Sequence, residues 1–159
     1  MKLTAFTDYS LRVLVYLGAR PGHRATIAEV AGAYGISENH LVKVVHHLGK
    51  QGWLRNVRGK GGGLELAVEP SEIRVGEVVR QAEGQAAVAE CFGDSGGDCC
   101  IAPHCRLRGV LAQAVAAFDA VLDRYTLADL VENREELVQV MFMPRVAGAA
   151  KAARAGTAP

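Results

Sequence analysis

The residues able to do chemistry are gathered in one place. All four cysteines of the 159-residue chain lie between Cys91 and Cys105, in the run Cys-Phe-Gly-Asp-Ser-Gly-Gly-Asp-Cys-Cys-Ile-Ala-Pro-His-Cys. Small, polar and glycine-rich residues between Cys91 and Cys99 hold neither a helix nor a strand, so a loop is expected there. A loop carrying every thiol of the molecule points to convergence on a common ligand. Thiolates favour soft metals: zinc, Cu(I), or iron in an iron–sulfur cluster. Structural zinc sites usually pair cysteines as C-x2-4-C knuckles, and the spacing Cys91-x7-Cys99-x5-Cys105 contains none. Disulfides require an oxidising compartment. Met1 is followed by a polar, helix-forming segment without the apolar stretch of a secretory signal, and no apolar run is long enough to cross a bilayer. The expectation is therefore a cytoplasmic protein with reduced thiols and no membrane partner. An iron–sulfur cluster is the leading reading, ahead of zinc and a thiol-only switch.

The net charge of +1 hides an uneven distribution. Residues 1–74 hold ten Lys and Arg against six Asp and Glu, whereas residues 75–143 hold five against eleven. The N-terminal half is the one suited to a polyanion. With half of its residues apolar, the chain supports one globular domain and an extension. Four regions are expected: a basic region over residues 1–84, a cysteine-rich loop over 85–105, a helical region over 106–143, and a disordered tail over 144–159.

The elements that must position the loop can be read in order. Residues 7–19 have helical character, with Thr7 as the expected cap, Asp8 in the first turn, and Leu11, Leu14, Val15 and Leu17 as the buried side. Thr26-Ile-Ala-Glu29 is a capping box opening a second helix that stops near Gly35. Ser37 is placed to cap a third helix, to Lys50, with Leu41, Val44, Val45 and Leu48 on one face. The other face carries Glu38, Asn39, His40, Lys43, His46 and His47. Two short helices joined by a glycine-containing turn, the second with a polar outer face, suggest a helix-turn-helix. Two strands, Trp53–Val57 and Leu64–Val68, flank the basic tip Arg58-Gly-Lys-Gly-Gly-Gly63, which makes this hairpin a wing. Arg55, Arg58 and Lys60 supply charge for phosphates, and the glycines allow close backbone approach. The wing glycines lead into a strand, which excludes the strand–loop–helix order of a nucleotide-binding loop.

A fourth helix is expected over about residues 74–83, and a long one from Arg106 to Tyr125. Leu107, Val110, Leu111, Ala114, Phe118, Val121, Leu122 and Tyr125 give the long helix an apolar stripe. A winged helix has too little surface to bury such a stripe, so a second copy of the chain is the economical partner. Thr126 and Asn133-Arg-Glu-Glu136 begin a short helical end expected to fold back over this rod. The fold class is thus mainly α with a small β-hairpin: a winged helix-turn-helix plus a long dimerisation helix.

Five segments in one order, Thr-Asp-Tyr-x-Leu-Arg from Thr7, Asn39-His-Leu-Val-Lys-Val-Val-His46, Val57-Arg-Gly-Lys-Gly-Gly-Gly-Leu64, Cys-x5-Cys-Arg-Leu from Cys99, and Tyr125-Thr-Leu-Ala-Asp-Leu-Val131, carry a resemblance. The chain resembles the NsrR-type nitric-oxide-sensing repressors over about residues 1–142. The resemblance implies a homodimer with an iron–sulfur cluster, 4Fe-4S favoured over 2Fe-2S, held by Cys91, Cys99 and Cys105. Cys100 falls where such proteins usually have no ligand. The resemblance further implies a fourth ligand, Asp8 of the partner subunit, which Arg12 one turn later is placed to orient. IscR-type relatives carry a histidine three residues after the last cysteine, where this chain has Arg108.

Nitric oxide is then the expected signal, displacing Asp8 and releasing a palindromic operator on double-stranded DNA. Ser37, Asn39, His40, Lys43 and His47 are expected in the major groove, with Arg58 and Lys60 of the wing on phosphate or the minor groove and Arg55 adding DNA-binding charge. An iron- or redox-responsive regulator of the same fold is the alternative. An enzyme is not expected: there is no CxxC redox pair, dinucleotide fingerprint or nucleophile–base constellation.

Overall fold

A computed structural model describes residues 2–84, 88–92 and 99–142. The expected tail, residues 144–159, and part of the cysteine run, residues 93–98, lie outside the described residues. Along the chain run α1 (Ala5–Ala19), α2 (Ile27–Tyr34), α3 (Glu38–Lys50), β1 (Leu54–Val57), β2 (Gly63–Leu66), α4 (Val75–Glu83), α5 (Arg106–Leu122), α6 (Leu127–Leu130) and α7 (Arg134–Phe142). The architecture is mainly helical with one antiparallel hairpin, as the sequence pattern requires.

Helix α1 is the hub. Val13, Leu14, Tyr16 and Leu17 are buried along it, and α3, α4, α6, α7 and β2 all pack on it. Leu11 and Val15 are only half-buried and line an open groove facing α7. The cap differs from expectation. Thr4, not Thr7, caps α1: its hydroxyl accepts from the Thr7 N–H at 3.2 Å, and Thr7 is wholly buried in the first turn. Glu83 at the end of α4 accepts from the Thr4 N–H at 2.7 Å, tying the start of α1 to the end of α4.

The capping box of α2 forms as the sequence indicates, and the hydrogen bonds from Thr26 hold the Glu29 carboxyl below its ordinary pKa. Gly35 ends the helix in the left-handed region, φ 66°. Ser37 takes the N-cap position of α3, although its hydroxyl makes no capping bond. Leu41, Val44 and Leu48 of α3 are fully buried. In the hairpin Arg55 faces Glu65 and Val57 faces Gly63. A bridge between Ala25 and Leu64 attaches the wing to the α1–α2 connection, with the Leu64 N–H donating to the Ala25 carbonyl at 2.7 Å. At Gly62 the chain turns so tightly that an added Cβ would collide with the Val57 carbonyl oxygen.

The C-terminal helices return to the N-terminal half. Leu127 and Val131 are buried in the same core as α1, where a methyl group on Gly18 would stand 3.3 Å from Val131. Helix α7 folds back as expected, but among the described residues it packs chiefly on α1 and α2 instead of along the rod. The Tyr34 hydroxyl donates to Met141 Sδ at 3.1 Å, and the Phe142 and Tyr16 ring centroids are 4.6 Å apart. Burial pushes the Tyr34 pKa up to about 12. Helix α5 is different: none of its residues is buried, and Leu107 and Val110 are about 60% exposed.

Because Leu127 and Leu41 share one core, Leu127→Ala and Leu41→Ala are each expected to cost about 2–5 kcal/mol in a single unfolding transition. Chemical denaturation followed by circular dichroism and by Trp53 fluorescence checks this. Two separate transitions, with Leu127→Ala moving only one, would contradict it.

Candidate functional site

The outer face of α3 is exposed and largely polar. Ser37, Glu38, Asn39, His40, Lys43, His46 and Lys50 are exposed, and Val42 among them is 52% exposed. Their side chains alternate with the buried Leu41, Val44 and Leu48, so core packing fixes the direction in which the polar set points. His47 does not share this face. Its ring packs edge-on against Phe6 of α1, centroids 5.3 Å apart, and its Nε2 is buried without a hydrogen-bond partner among the described residues. Burial, followed by the nearby Lys50 charge, lowers its pKa. The His40 ring lies 6.2 Å from that of Tyr9 while remaining exposed.

The wing adds charge beside this face. Arg58 and Lys60 are exposed at its tip and form no ion pair among the described residues. Arg55 is partly engaged: its Nε donates to Glu65 at 2.6 Å, while Arg24 donates to the other carboxylate oxygen at 2.7 Å. These hydrogen bonds, Arg24 first, hold the Glu65 carboxyl below its ordinary pKa. Arg24 also donates to the Gly61 carbonyl at 3.3 Å and so braces the wing tip. Sequence reasoning missed Arg24, because its partners lie far along the chain and no local pattern marks it.

The cysteines stand on two short stretches. Cys91 sits in a 3-10 turn over Glu90–Phe92, half-buried. Cys99 and Cys100 are exposed and precede a second turn, Ala102–His104. The Ala102 N–H donates to the Cys99 carbonyl at 3.0 Å, so Cys99 and Cys105 belong to one compact turn. Cys105 is the N-cap of α5 and its side chain makes no capping bond, leaving first-turn N–H groups available to a sulfur or sulfide. All four thiols are free.

Asp8 and Arg12 behave as the i, i+4 spacing on α1 predicts. Arg12 Nε donates to Oδ1 at 3.0 Å and its second arm reaches Oδ2 at 2.9 Å, with both side chains a little over 40% exposed. This bidentate pair fixes the plane of the carboxylate at the surface, and the Arg12 guanidinium also rests 5.7 Å from the Tyr34 ring centre. Among the described residues, no three His, Cys, Asp or Glu side chains of one chain converge as a metal site. The donor chemistry nevertheless fits an iron–sulfur cluster: three accessible soft thiolates and one oriented, harder carboxylate.

Comparison with known proteins bears on both faces. Residues 3–133 match the Rrf2 family model, described as an iron-dependent transcriptional regulator. The HTH-type transcriptional regulator NsrR of Bacillus subtilis (strain 168) is 48% identical over 144 residues, covering 90% of this chain and 99% of that protein. NsrR of Shouchella clausii (strain KSM-K16) is 49% identical over 138 residues, covering 86% and 93%. Among solved structures, T. potens IscR superposes with TM-score 0.69 at 27% identity, over 86% of this chain and 90% of that one. Oxidised Staphylococcus aureus CymR superposes with TM-score 0.67 at 26% identity, over 83% and 97%. A helix-turn-helix with a basic wing, set in this sequence context, is that of a DNA-binding regulator and not of an enzyme: the chain belongs to the Rrf2 family of transcriptional regulators.

Proposed function

We propose that the protein is a cytoplasmic, homodimeric repressor that senses nitric oxide through an iron–sulfur cluster and releases a palindromic operator when the cluster is nitrosylated. Cys91, Cys99 and Cys105 would hold the cluster, 4Fe-4S in preference to 2Fe-2S, with Asp8 of the partner subunit as the fourth donor. When bound, such a cluster supplies iron that reacts with nitric oxide, most readily where its ligand is oxygen and not sulfur. What carries this reading is the setting of Asp8: a carboxylate oriented by two Arg12 N–H donors, on the surface of a helix against which the recognition helix is packed.

The chain's own residues account for the rest. Helix α5 offers its exposed Leu107, Val110 and Val121 to a second copy, which would cover the stripe and set the distance between two α3 helices. Phe6 and Tyr9, on either side of Asp8, contact His47 and His40 of α3, so a change in the seating of α1 is felt by the recognition helix. Asn39 and Lys43 would meet bases or phosphates, and Arg58 and Lys60 phosphates or the minor groove. No helix among the described residues is long and apolar enough to cross a membrane. An iron-responsive regulator is the second reading, favoured by the family's iron-dependent description and the likeness to IscR.

Replacing both Arg58 and Lys60 by Ala is expected to weaken operator binding and to flatten the plot of log affinity against log salt by about 0.9 for each phosphate that is no longer neutralised. His47→Leu, which keeps the inward packing, should bind close to wild type. Fluorescence anisotropy over a salt series checks both; an unchanged slope for the wing variant, or a His47 variant that fails while folded, would contradict the assignment.

Anaerobic operator-binding titrations with stepwise nitric oxide test the sensing itself. Affinity should fall as cluster absorbance changes, and Asp8→Ala should still assemble a cluster while altering its nitric oxide response. Affinity indifferent to nitric oxide but dependent on iron supply would move the assignment to the second reading.

A further inference from the structure

Arg108 stands three residues beyond Cys105, one turn along α5 and on the same side of the helix. Its guanidinium carbon lies 5.8 Å from the centre of the Phe92 ring, within cation–π range, and Phe92 is the residue after Cys91. Val88, at the start of the same short stretch, lines the cleft between α4 and α5 together with Leu111 and Val115. Cys99 and Cys105 are already joined through the turn at Ala102–His104. Cys91 is not, since residues 93–98 intervene and offer only small and polar side chains.

We propose that Arg108 is a positioning residue for the cysteine segment. By resting on the Phe92 ring it holds Cys91 against the first turn of α5, where Cys105 is fixed as the N-cap. Arg108 thus serves as a clamp: a guanidinium is a poor metal ligand but binds an aromatic face well. The proposal rests on the reading that these cysteines serve a common ligand, yet it concerns only how the chain brings two of them together.

The test uses the iron-free 159-residue chain in which Cys99→Ser and Cys100→Ser leave only Cys91 and Cys105. Equilibration with glutathione converts the two thiols and one glutathione disulfide into an intrachain disulfide and two glutathione thiols, two electrons passing to the glutathione. The position of this equilibrium gives the effective concentration of Cys91 at Cys105. Alkylation and mass spectrometry read the fraction oxidised. Arg108→Met and Phe92→Leu are each expected to lower the effective concentration about two- to fivefold, the size of an exposed cation–π contact. Arg108→Lys and Phe92→Tyr, which keep a cation and an aromatic face, should retain most of it. The Arg108→Met, Phe92→Leu double variant should fall no further than either single one. Equal values in all variants, fully additive losses, or disulfides formed only between chains would overturn the proposal. Because no iron is present, that failure is distinct from failure of the cluster reading, which metal analysis of the wild-type protein decides.

Discussion

The structure depends on one crowded contact, the packing of α1 against the elements on both sides of it. Gly18 leaves room for Val131 and Leu127 to lie directly on the helix, while Val13, Leu14 and Leu17 face the rest of the core. A β-carbon at Gly18 would sit 3.3 Å from Val131, so the C-terminal segment is seated nearly as closely as backbone allows. Interiors packed in this way transmit displacement instead of absorbing it. A helix bound by α3 on one side and by α6 and α7 on another cannot shift without moving one of them. The surface left to α1 carries Asp8 and Arg12. A ligand that engages Asp8 therefore acts on a part that the recognition helix shares.

Electrostatics divides the labour. Basic residues dominate positions 1–74 and acidic ones positions 75–143, so a polyanion is attracted to the winged helix and repelled by the remainder. Within the wing, Glu65 draws in Arg24 and Arg55 and so stiffens the hairpin at the expense of some of its positive charge. Arg58 and Lys60, beyond Glu65, keep theirs. The hairpin thus separates bracing charge at its base from exposed charge at its tip, which forms no ion pair among the described residues.

Much of this is legible in the chain because the signals are local. The Thr26–Glu29 capping box, the apolar spacing of α3 and the glycine-rich wing each lie within a few residues and form as the pattern predicts. What is not legible depends on distant partners. Thr4 outcompetes Thr7 as cap because Glu83, far along the chain, also bonds to it. His47 lies on the polar face of α3 by spacing, yet Phe6 draws its ring inward. The rod is the nearest support for α7 along the chain, but Tyr16 and Tyr34 present aromatic surface that Phe142 and Met141 cover. The cysteine segment is legible in its chemistry and not in its geometry, since spacing names the donors without saying how a loop is held.

Three cysteines and a partner's carboxylate would make the dimer a cluster protein. Non-denaturing mass spectrometry of anaerobically purified protein tests this most directly. The predicted result is a mass of two chains with one 4Fe-4S cluster on each, converting to nitrosylated species as nitric oxide is added. Zinc, a metal-free dimer under strictly anaerobic handling, or a monomer would contradict it.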